Sequence, residues 1–157
     1  MAGAMVLAAL LGVAAVGVGA GGAAAADTPG ARRAEVIDLK VRNDQYQEVD
    51  LGSKGPSLGD TYLYSGIGVK DGRDVASGGG TCQVIRIDGG AQTSQCVLTM
   101  ELARGSLTMQ SLWTSGTTGP LDMAITGGTG DFKAARGTVR FWDIATPNER
   151  ARMEILR

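Results

Sequence analysis

The chain has 157 residues, enough for one domain and short for two. Fifteen lysines and arginines stand against 16 aspartates and glutamates, a balance that gives no electrostatic basis for capturing nucleic acid or an anionic membrane. Histidine is absent, which excludes histidine-based triads and proton shuttles; with two cysteines it also leaves no convincing metal site.

Residues 1–26 differ in kind from the rest. The run AMVLAALLGVAAVGVGAGGAAAA is uncharged and apolar and turns to small residues before Asp27, with a small-x-small step at 24–26. It reads as a signal peptide, followed by a polar lead-in at 27–34 and a single domain at 35–157. Its first residues, MAGAM, carry no Lys or Arg. A retained membrane anchor is the rival reading; shortness and glycine density favour removal, and hence a secreted protein.

Beyond Asp27 no stretch has a helical period. Short runs recur between Gly, Pro, Asn and Asp, the pattern of an all-β chain. Strands are predicted at Glu35–Val41, Thr61–Val69, Thr81–Ile87, Gln95–Ala103, Ser106–Trp113, Leu121–Thr126, Ala135–Ile144 and Arg150–Leu156. Eight antiparallel strands joined by short connections suit a closed barrel, because closure removes unpaired edges.

Cys82 and Cys96 flank the turn signal Asp88-Gly89-Gly90 in TCQVIRIDGGAQTSQC. A hairpin there sets the two sulfurs opposite each other, and an oxidising compartment permits a disulfide that stabilises by about 3 kcal/mol. Two free buried thiols are the alternative. Alternation groups Cys82, Val84, Cys96, Leu98, Met100 and Leu102 on one face, and Leu107, Met109, Ser111 and Trp113 in one row of the next strand. Neither face is wholly polar, so period alone does not identify the lumen. Asp60 reads as a turn acceptor, and the terminal NERARMEILR as a solvated face.

The stretch TGGTGDFKAARG allows three readings. A phosphate loop needs a helix after its glycines, whereas here TVRFWDI follows, a β-branched and aromatic run. A hinge has no use for Phe132. A tight corner between strands uses the glycines for backbone angles closed to other residues, with Phe132 plugging the barrel end and Asp131 as a corner residue.

That corner carries a resemblance. ITGGTGDFKAARG resembles the Thr-Gly-Gly-Ser/Thr-Gly-x-Phe signature shared by plant allene oxide cyclases and dirigent proteins. LGDTYLYSG, GGTCQVI and RGSLTMQSLW fall in the order and spacing of the cyclase core, while GRDVASGGGT and the ARG after Phe132 lean toward dirigent proteins. The resemblance implies an eight-stranded antiparallel up-and-down barrel of calycin type with a central apolar cavity, assembled as a dimer or trimer. It also implies cofactor-free chemistry, since bacterial relatives perform spiro-forming and Diels–Alder-type ring closures.

Carried over by residue, the family's cavity glutamate falls on Asp38, its asparagine on Lys40, a cavity cysteine on Cys82 and a cavity tyrosine on Trp113. The Ser-Pro that follows in the cyclases has no counterpart in VRNDQYQEVD. The expected function is a cofactor-free cyclase that folds a hydrophobic polyene or polyketide-like guest into a reactive conformation. Asp38 is the expected acid/base or anionic stabiliser, with Tyr62 and Tyr64 as hydrogen-bond donors. Cys82, Val84, Leu98, Met100, Met109, Ser111 and Trp113 are the expected cavity wall. The partner is a small hydrophobic molecule, with no nucleic acid and no metal. Two alternatives stay open: a dirigent-like protein steering stereoselective coupling, and a barrel that only binds small hydrophobic molecules.

Overall fold

The computed structural model describes residues 34–156. The segments read above as a signal peptide (1–26) and a polar lead-in (27–34) lie outside the described residues, Ala34 excepted.

All eight predicted strands are present and in order: β1 Ala34–Val49, β2 Thr61–Lys70, β3 Arg73–Asp88, β4 Ala91–Leu102, β5 Gly105–Thr114, β6 Leu121–Gly128, β7 Arg136–Trp142 and β8 Arg150–Leu156. Each pairs antiparallel with its chain neighbour, and β8 returns to β1 through Ala34↔Leu156 to Lys40↔Arg150, closing the barrel. Cys82 and Cys96 are register partners and are joined by a disulfide, their Cα atoms 4.0 Å apart.

β1 and β3 extend furthest beyond their predicted ranges. β1 runs on from Val41 to Val49 through the polar stretch RNDQYQE, which shows no alternation because both of its faces are largely exposed; pairing with β2 holds it extended. β3 begins at Arg73, so the glycines at 78–80 lie inside a strand. A Cβ at Gly78 would sit 2.5 Å from the Thr99 carbonyl oxygen, and one at Gly79 2.5 Å from that of Tyr64. Glycine here lets β2 and β4 close tightly on β3.

Burial assigns the faces. Leu107, Met109, Met123, Val139, Met153 and Ile155 point inward and are at most 1% exposed, so side chains fill much of the barrel. One end is sealed by Phe132, fully buried on the 3-10 turn Gly130–Phe132. The Arg104 guanidinium lies 5.2 Å above its ring and pairs with Glu35 and, at 3.8 Å, with Asp131. Gly130 turns this corner at φ +55°, where a Cβ would run into the Arg104 carbonyl oxygen. The TGGTG stretch is thus a corner, and no helix follows it.

Candidate functional site

The inward positions of β2 and β3 include glycines: Gly66 pairs with Gly78, Gly68 with Ala76, and Tyr64 with Gly80. Where these strands face the interior there is little side chain to fill it. The result is a partly open hollow of about 50 Å³ between the middle of β1–β4, Phe141 and Glu149. Val41, Leu98, Met100 and Phe141 form its apolar wall; Asn43, Tyr64 and Glu149 supply its polar groups. The central cavity is therefore present but short. Ligand sites for drug-sized molecules run to about 300–1,000 Å³, so this one admits a methyl group or a ring edge rather than a folded polyene.

Glu149 is 7% exposed. It stands one step before β8 and continues that strand's inward row of Ala151, Met153 and Ile155. Its Oε2 accepts hydrogen bonds from Asn43 Nδ2 at 2.9 Å and from the Ala145 backbone N–H at 2.8 Å. Its carbonyl oxygen accepts from the Val41 N–H at 2.9 Å, fixing the turn to β1. Oε1 is left without a hydrogen-bond donor among the described residues. A buried carboxyl group held by one oxygen and open at the other is suited to proton transfer.

Tyr64 lies on the same hollow, its hydroxyl 3.6 Å from Cys82 Sγ. Burial, and after it the negative charge of Glu149, push the phenol above its ordinary value of 10.0, so it remains a neutral donor through the physiological range. The unfolded chain gives up this proton near pH 10 while the folded chain retains it, so stability from this group is intact below that pH and is lost as pH rises toward the folded value. Urea midpoints measured through the alkaline range should therefore fall more steeply in wild type than in Tyr64→Phe. Equal slopes would place Tyr64 in a solvated setting.

The structure divides the other expected site residues. Asp38 is on the outer face: Ile37, Leu39 and Val41 take the inward positions of β1, and Asp38 extends into solvent toward Arg152 at 3.4 Å. Strand parity removes it from the interior set. Lys40 is exposed for the same reason. Tyr62 faces inward above the hollow and donates to Gln92 Oε1 at 2.8 Å. Leu98 and Met100 line the hollow. Cys82, Val84, Met109, Ser111 and Trp113 also face inward but do not reach it: Val84 and Met109 are packed core, Cys82 is spent in the disulfide, and Trp113 packs partly buried against the core. The Ser111 hydroxyl, like that of Ser94, has no partner among the described residues. Asp60 is a turn acceptor, taking the Leu51 and Ser57 N–H groups at 2.8 and 2.7 Å.

Glu149 and Asn43 escaped the sequence reading. Arg150, Arg152 and Glu154 do form a solvated face, but the opposite parity of β8, traced back one residue, leads to Glu149. Asn43 carries no such signal, since it adjoins the register shift between Asn43 and Gln45.

Residues 35–156 match the allene oxide cyclase barrel like domain. No curated protein matches this sequence. Among solved structures, a pyocyanin demethylase is 34% identical with a TM-score of 0.70, over 77% of this chain and 99% of that one. AbnU, an exo-specific intermolecular Diels-Alderase, is 12% identical with a TM-score of 0.61, over 78% of this chain and 98% of that one. The pterocarpan synthase dirigent protein GePTS1 is 17% identical with a TM-score of 0.59, over 78% and 83%. The last two likenesses are of fold.

Proposed function

The chain belongs to the allene oxide cyclase barrel like family, and on that premise we propose that it is a cofactor-independent enzyme that moves a proton within a flat, conjugated small molecule. The observation that carries this reading is a buried Glu149, one of whose oxygens accepts no hydrogen bond among the described residues, lining the same hollow as Tyr64. One edge of the guest enters the hollow. Glu149 Oε1 takes a proton from carbon or nitrogen at that edge, and the Tyr64 hydroxyl donates a hydrogen bond to the atom where negative charge develops. Asn43 keeps the carboxyl group aimed, and with the guest's edge in place the wall of Val41, Leu98, Met100 and Phe141 leaves little room for water, which strengthens both interactions. Return of the proton to another atom of the guest completes an isomerisation.

The likeness to pyocyanin demethylase supports a heteroaromatic guest of the phenazine kind, and the shortness of the hollow supports a guest that offers an edge. The second reading is cyclisation of a reactive polyene or dirigent-like steering of a coupling, supported by the barrel shared with the Diels-Alderase and the pterocarpan synthase dirigent protein. We further propose that the protein works outside the cytoplasm; the disulfide supports this, and no helix among the described residues is long and apolar enough to cross a membrane.

Incubation of the purified protein with N-methylated heteroaromatics, including pyocyanin, and with conjugated polyenes separates these readings by product mass. A mass-neutral product is expected from proton transfer alone. Where the proton moves from an N-methyl carbon to the ring, water adds to the methylene carbon and formaldehyde leaves, giving a two-electron-reduced ring lighter by one carbon, which air reoxidises to a product lighter by CH2. Product only after a one-electron oxidase is added would favour steering. No product from any flat heteroaromatic would overturn the leading reading.

A further inference from the structure

Above the hollow, β1 outruns its neighbour on one side. Its last partner in β8 is Arg150, opposite Lys40, whereas its ladder with β2 continues to Val49↔Thr61. The register shift between Asn43 and Gln45 sets Tyr46 directly opposite Tyr64, and Glu48 opposite Tyr62. These four side chains therefore share the face that leads down to the hollow. The rings of Tyr46 and Tyr62 stack with centroids 6.5 Å apart and planes 18° from parallel.

Tyr62 is immobilised by Gln92, which is itself tied to Ser115: the Gln92 N–H donates to Ser115 Oγ at 2.9 Å, and the Ser115 N–H to the Gln92 carbonyl oxygen at 2.8 Å. Tyr46, by contrast, is 66% exposed. The pair is a rigid aromatic step with one ring open to solvent. Desolvation raises both phenols most, and the charges acting on them are negative: Glu48 on both and Asp60 on Tyr62. Asp60 is committed to two backbone N–H groups, whereas the Glu48 carboxylate has no hydrogen bond or ion pair among the described residues. An aromatic face beside an uncommitted carboxylate favours a cation over a neutral ring of equal shape, because quadrupole and charge attract in the same sense.

We propose that Tyr46, Tyr62 and Glu48 form a recognition platform for a flat heteroaromatic cation, such as an N-alkylated nitrogen heterocycle. The ring stacks on Tyr46, Glu48 pairs with its charge, and its edge is presented to Tyr64 and Glu149; this last placement rests on the reaction site proposed above, and the binding does not.

Titration of the full chain with N-methylacridinium and with acridine, followed by fluorescence at a pH where acridine is neutral, tests the platform. N-methylacridinium should bind about fivefold or more tightly than acridine, with the gap narrowing as salt is added. Tyr46→Ala and Glu48→Gln should each weaken the cation about fivefold. Tyr46→Phe should bind like wild type, and Glu48→Gln should leave acridine affinity unchanged. Equal affinity for the two probes, binding of neither, or an unaltered cation affinity in Glu48→Gln would overturn the proposal. Because the readout is binding, a catalytically silent Glu149 would remove the reaction site and leave the platform standing.

Discussion

Glu149→Gln is expected to lower turnover by about 10²- to 10⁴-fold while the barrel stays folded. The substitution is close to isosteric, and the amide oxygen can still accept from Asn43 and the Ala145 N–H, the two contacts that hold the side chain in place. What it removes is the proton-accepting capacity of the free oxygen. Affinity for the guest should change less than the rate, since the apolar wall and Tyr64 are untouched. Asp38→Asn is the matched control: it alters a carboxylate on the outer face, paired only with an exposed arginine, and should leave the rate unchanged. Steady-state rates on whichever heteroaromatic is converted, with melting temperatures alongside, decide the matter. A Glu149→Gln enzyme within about twofold of wild type, at unchanged stability, would show that the hollow works by shape alone.

The contrast between these two acids also shows what the sequence could and could not convey. Eight strands were legible because apolar alternation and turn residues are local signals, and the Cys82–Cys96 bond followed from a turn centred between the two sulfurs. Parity on β1 was legible but outweighed, because Ile37, Leu39 and Val41 alternate with Asp38 and Lys40 and already set the acid on the polar face. The resemblance to the cyclases matches a residue type near Asp38, but the facing of a strand is set by which neighbours are buried, and Leu39 takes the inward position. Glu149 was hidden for the complementary reason: it precedes its strand, inside a turn, and the arginines around it dominate the local composition. The polar ribbon of Tyr46 and Glu48 lacked an apolar period because both its faces meet water. Cavity size was beyond reach for a different reason. Met109, Met123 and Met153 are long, flexible fillers, and how far they occupy a lumen depends on rotamers that no pattern encodes.

Phe132→Ala is expected to destabilise the protein by about 3–5 kcal/mol, the cost of deleting a fully buried aromatic ring. Three features place it at the upper end of that range. The ring seals the barrel on a single 3-10 turn, so no adjoining helix can slide in to fill the space. Its Cβ is wedged against Gly128, where an added Cβ would lie 2.9 Å away, so the corner has little freedom to collapse. Arg104 stacks on the ring while pairing with Glu35 and Asp131, so the substitution also strips one face of a cation that ties three segments of the barrel end together. Phe132→Leu should recover part of the loss by refilling volume without restoring the cation contact. Urea unfolding of both variants measures the two contributions separately. A loss below about 1 kcal/mol for Phe132→Ala would mean that the core closes without its plug; the glycine-rich corner, which looks like a phosphate loop until the strand after it is considered, would then need a different explanation.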